Sequence, residues 1–165
     1  MRKTIMSVIV AAATTLALGG AGVAAASTHS GGASGIEHFQ LMTTSATATT
    51  SSVIAYGVFT GAGVDHQVSN NVDRFVFSNG TIRVHHSNGK GQQSFNPKTC
   101  LLTVNEHGTF LLTHGTGKYA GISGHGTYHL SVLAIGARSH GKCSQTKPPV
   151  AYHQVINARG LVSLP

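Results

Sequence analysis

The sequence predicts an all-β domain, most simply a closed antiparallel β-barrel of about eight strands, and three observations lead there. Beyond residue 35 no stretch shows helical periodicity, and the chain is instead rich in Val, Thr, Ile, Leu, Phe and Tyr. Glycine interrupts these runs about every ten residues, as tight turns between short strands require. One hairpin can also be checked internally, because segments 73–78 and 81–86 flank Asn79-Gly80, a pair suited to a two-residue turn.

That turn would pair Ser78 with Thr81, Phe77 with Ile82, Val76 with Arg83 and Phe75 with Val84. Phe75, Phe77, Ile82 and Val84 then share one face and are the candidate lining of a barrel cavity. Arg74, Ser78, Thr81, Arg83 and His85 share the other. Further strands are expected over 37–43, 52–59, 64–68, 100–105, 109–114, 127–133 and 151–162, with Asn105 to Gly108 forming a turn. So many antiparallel strands must manage their edges, and closure removes them. A β-sandwich is the runner-up, although the chain has no tryptophan to build an immunoglobulin-type core.

The N-terminus has the layout of a secretory signal peptide. Met1-Arg2-Lys3 is a cationic start, Ile5 to Leu18 an apolar run, and Ala24-Ala25-Ala26 supplies small residues for cleavage near Ala26. The apolar run is shorter than the ~20 residues that span a bilayer, so no transmembrane segment is expected after cleavage. Residues 27–35 read as a flexible Gly/Ser linker and 36–165 as the barrel domain. Secretion implies an oxidising compartment, where the only two cysteines, Cys100 and Cys143, are expected to form a disulfide. A bridged pair offers no nucleophilic thiol.

Charge is sparse and one-sided, with 11 Lys and Arg against 4 Asp and Glu. The basic residues beyond the leader are scattered from Arg74 to Arg159, without the concentrated stripe of a nucleic-acid reader, so no nucleic-acid partner is expected. Their excess suits solubility or an anionic component of the cell envelope.

Motifs for chemistry fail on their surroundings. Gly115-Thr-Gly117-Lys-Tyr-Ala120 fits a dinucleotide fingerprint in letters, but Gly121, Gly124 and Gly126 follow where a helix must begin. Tyr119 stands where a phosphate loop needs Ser or Thr, so no cofactor is expected. His125 and His129 would lie ~13 Å apart along a strand, and the adjacent His85 and His86 point to opposite faces. The histidines therefore read as surface residues and no metal site is assigned. Glu37, Asp65, Asp73 and Glu106 are the only carboxylates. Asp65 and Asp73 read as strand-edge or turn residues and Glu106 as part of a turn, so no catalytic residue is assigned. Ser123 lacks the nucleophile elbow of a hydrolase.

The segment Thr113–Tyr128 resembles the glycine-rich hairpin of the allene oxide cyclase and dirigent barrels, in which G-x-G-x-[FY]-x-G-x-x-G joins two long strands. Gly115, Gly117, Tyr119, Gly121 and Gly124 occupy those places, as in an uncharacterised secreted bacterial member. The resemblance implies a barrel whose aromatic residue plugs one end and whose apolar cavity holds a fatty-acid-like or aromatic molecule. It carries over no functional residue outside the motif. The expected function is binding of a small apolar ligand or an envelope partner without catalysis. The alternative is a cyclase-like or dirigent-like enzyme guiding cyclisation or coupling of a small hydrophobic substrate.

Overall fold

Alternating apolar and polar side chains, over strands of 6 to 17 residues, build the barrel wall. The computed structural model describes residues 32–165, so the expected signal peptide, residues 1–26, and most of the expected linker lie outside the described residues. The strands are β1 (Ala33–Thr43), β2 (Thr50–Tyr56), β3 (Gly61–Ser69), β4 (Val72–Phe77), β5 (Gly80–Asn96), β6 (Leu101–Gly115), β7 (Ser123–Ile135), β8 (Arg138–Ser139), β9 (Lys142–Cys143) and β10 (Ala151–Leu164). Eight of them close an antiparallel barrel in the order β1-β10-β7-β6-β5-β4-β3-β2, while β8 and β9 form a separate short hairpin. The architecture is a closed barrel rather than a sandwich. Among the described residues no helix is long and apolar enough to cross a membrane.

Three local expectations are corrected. β1 begins at Ala33, inside the stretch read as linker, because the end of β10 pairs with it as far as Leu164. Asn105 to Gly108 make no turn; they run through the middle of β6, paired with Ser131 to Tyr128 of β7. The β4–β5 hairpin turns at Ser78-Asn79, so that Phe77 faces Gly80, Phe75 faces Ile82 and Asp73 faces Val84. The pairing is displaced by an even number of residues, so every side chain keeps its face. Gly80 serves close approach rather than the turn itself: its φ is +149° and a Cβ there would lie 2.0 Å from the carbonyl oxygen of Thr116.

One end of the barrel is filled. Phe59, Phe77 and Tyr119 meet with ring centroids 4.9 to 5.9 Å apart. Phe39 continues the cluster inward to Phe75 and Phe110. Tyr119 reaches this end from a 3-10 turn, Gly117–Tyr119, between β6 and β7. The chain enters and leaves the turn through positive φ at Gly117 (+58°) and Gly121 (+78°), which side chains resist. Gly115 ends β6 and Gly124 lies early in β7. The fully buried Glu37 of β1 sits at the same end, where its Oε2 accepts the Phe59 N–H at 3.0 Å. That bond holds the β2–β3 connection over the plug, and burial pushes the Glu37 carboxyl above its usual range.

At the other end, Cys100 and Cys143 form a disulfide with Cα atoms 5.5 Å apart. It ties the β8–β9 hairpin to the β5–β6 connection, and the Arg138 guanidinium reinforces the join by donating to the Lys98 and Gly141 carbonyls. Closing so long a loop contributes about 4 kcal/mol through the entropy of the unfolded chain.

Two stability outcomes follow from this packing. Phe77→Ala should cost about 3–5 kcal/mol in chemical denaturation and Arg74→Ala less than about 0.5 kcal/mol; equal losses would contradict the observed facing of β4. Cys143→Ser should cost about 2–4 kcal/mol, and peptide mapping without reductant should recover the Cys100–Cys143 pair.

Candidate functional site

Away from the plug the inward side chains leave a cavity of about 370 Å³, open at the barrel mouth. Its floor is apolar: Phe39, Leu41, Phe75, Val84, Phe110 and Ile156. Toward the mouth the same strands turn polar at the same alternation. Asp73 lies two residues before Phe75 on β4, His86 two beyond Val84 on β5, and Glu106 four before Phe110 on β6; Asp65 of β3 and Tyr128 of β7 complete the ring. Even spacing along a strand aims each of them inward.

Two linked groups result. Asp65 is 7% exposed and its Oδ1 has no hydrogen-bond partner. Burial, aided by the nearby charge of Asp73, pushes its carboxyl up to about 7. Asp73 is itself raised by burial, against the pull of His86, whose Nε2 lies 3.4 Å from Asp73 Oδ2. Across the mouth, the Tyr128 hydroxyl donates to Glu106 Oε1 at 2.7 Å, and its ring stands edge-on to His86 with centroids 6.2 Å apart. Burial first, then the Glu106 carboxylate, hold the phenol well above its ordinary range. Gly108 makes this placement possible, since a Cβ there would come within 2.4 Å of the Tyr128 ring. Tyr152 donates to Gln154 Oε1 at 2.7 Å on the β10 side.

Among the described residues no lysine or arginine lines the cavity. All four carboxylates of the chain face the barrel interior: Glu37 in the plug, and Asp65, Asp73 and Glu106 at the mouth. A chamber so built accepts hydrogen bonds from a donor or a cation and repels an anion. Asp65, titrating near neutrality against an apolar floor, is suited to accept or give a proton.

The residues singled out by sequence divide between the two ends. Phe75 and Val84 line the cavity, whereas Phe77 and Ile82 do not; they belong to the filled end with Tyr119. Cys100 and Cys143 anchor the connections outside the barrel wall. Asp65, Asp73 and Glu106 are not edge or turn residues, and His86 is not a surface histidine; strand alternation turns all four into the cavity. For Asp73 the signal was legible, since it alternates in step with Phe75 and Phe77. Among the described residues no group of three or more His, Cys, Asp or Glu side chains is placed to hold a metal ion. Comparison of the chain with protein-family models, with curated proteins and with solved structures finds no match.

Asp65 makes stability depend on pH. Its folded pKa is raised from 3.8 to about 7, so the folded state holds a proton that the unfolded chain releases. Its favourable contribution is present below pH 4 and is lost as pH rises through 7. Asp65→Asn should therefore melt higher than the wild type at pH 8, by about 2–4 kcal/mol in stability, and the two curves should converge toward pH 4. A gap independent of pH would contradict the buried, unpaired carboxyl.

Proposed function

We propose that the protein is an exported barrel that binds a small amphipathic molecule, its apolar body on the aromatic floor and a hydrogen-bond donor or cationic head among Asp65, Asp73 and Glu106. The observation that carries this reading is the one-ended chamber itself, apolar below and acid-lined above, with no lysine or arginine among its described lining residues. Its volume suits a ligand of one or two fused rings, at the lower end of small-molecule sites. Export rests on the signal-like order of residues 1–26 and agrees with a disulfide that a reducing compartment would disfavour. The glycine-rich hairpin, with Tyr119 in the plug, supports kinship with the allene oxide cyclase and dirigent barrels. The acidic mouth argues for a different ligand head group from a fatty-acid carboxylate.

A second reading, an enzyme that guides cyclisation or coupling of the bound molecule, draws on Asp65. An unpartnered carboxyl titrating near neutrality beside an apolar chamber is costly to stability and is found where protons are moved. Turnover of a bound candidate that is lost in Asp65→Asn, with binding retained, separates this reading from binding alone.

The binding proposal is tested with three probes of one shape and different heads: 2-naphthylmethylamine, 2-naphthylmethanol and 2-naphthoic acid. Calorimetry at pH 7.5 should rank the amine first, the alcohol second and the acid at least tenfold weaker than the amine. An acid that binds as tightly as the amine, or failure of all three to bind, overturns it.

A further inference from the structure

The outer wall carries a groove on the far side of the sheet from the cavity, with Phe39, Tyr128 and Ala158 bordering both. It crosses five strands, β2-β1-β10-β7-β6, which at ~4.8 Å between neighbours makes it about 19 Å wide. The groove encloses about 300 Å³. Two stacked ring pairs form its flanks. On one side His38 and Tyr56 lie parallel within 3° at 4.8 Å; on the other His107 and His129 stack at 4.5 Å. Between them the floor presents Asn157, Thr127 and Arg159 to solvent.

The charge around this groove is unopposed. Because every carboxylate side chain of the protein faces the barrel interior, the outer wall has none. Among the described residues no lysine or arginine lies within ion-pairing distance of a carboxylate side chain, so Arg159 keeps its guanidinium for a partner. An exposed arginine offers two parallel N–H donors to a carboxylate. Tyr56, 51% exposed, offers a flat apolar ring with a polar tip, and Asn157 and Thr127 offer hydrogen bonds to hydroxyls.

We propose that this groove binds an acidic saccharide, a chain of sugar rings bearing carboxylates. The ring pairs take the apolar faces of the sugars, Arg159 takes a carboxylate, and Asn157 and Thr127 take hydroxyls. A nucleic acid fits less well, because a phosphate backbone calls for a track of several basic residues, and the groove holds one arginine among neutral donors.

The test titrates tetragalacturonate, uncharged cellotetraose and a four-residue oligothymidylate against the purified protein. Tetragalacturonate should bind, weakening as salt rises, with cellotetraose and the oligothymidylate each at least tenfold weaker. Arg159→Gln and Tyr56→Ala should each weaken tetragalacturonate at least tenfold while leaving the melting temperature near that of the wild type. Arg83→Gln removes the same charge from β5, on another side of the barrel, and should change affinity less than twofold. Three results would each overturn the proposal: no binding of tetragalacturonate, equal losses in Arg159→Gln and Arg83→Gln, or oligothymidylate binding as tightly as tetragalacturonate. Failure of the naphthyl probes in the cavity bears on the other site and leaves this one standing.

Discussion

The pairing of β1 with β10, unbroken from Ala33 opposite Leu164 to Thr43 opposite Gln154, is the contact on which the rest depends. It joins the first strand of the domain to the last and turns an eight-stranded sheet into a barrel. Without it the inner face, with Phe39, Phe75, Phe110 and Ile82 on it, would be open to water along two free edges. Closure also brings together side chains that are far apart in sequence. Gln40 of β1 donates to the Asn157 Oδ1 of β10 at 3.2 Å, 117 residues away along the chain.

A barrel of this size has just enough interior for side chains to fill it. This one divides that space unequally. Large rings from β4, the β2–β3 connection and the β6–β7 turn consume the interior at one end, where Phe59, Phe77 and Tyr119 interlock. At the other end smaller and polar side chains line the wall, and the volume they leave is the cavity. The plug is therefore what makes the cavity one-ended.

Charge is divided as sharply as volume. Carboxylates inside and bases outside is an expensive arrangement, since burial penalises the charged form of Glu37, Asp65 and Asp73 alike. Only Asp73 has a basic partner, and Asp65 has none at its Oδ1. Three of the four carboxylates, Asp65, Asp73 and Glu106, gather at the open mouth, where burial acts on acids that share one cavity. The same division strips the outer wall of acidic side chains, so that the scattered basic residues act without opposition.

How much of this was legible beforehand follows from the range of each interaction. Period-two alternation and turn residues are local, so they determined the all-β class, the approximate strand count and the inward face of Phe75, Phe77, Ile82 and Val84. A lone cysteine pair likewise determined its own partner, there being no other. The turn position at Ser78-Asn79 was not legible, because Gly80 answers to the Thr116 carbonyl from a distant loop. Gly108 misled for the same reason: it reads as a turn glycine, and what it serves is the ring of Tyr128 on the neighbouring strand. The convergence of Asp65, Asp73, His86, Glu106 and Tyr128 was beyond the sequence altogether, since they come from five strands. Alternation says that a residue points inward; only the register and closure of the barrel decide at which end it does so, and therefore whether it packs into the plug or lines the cavity.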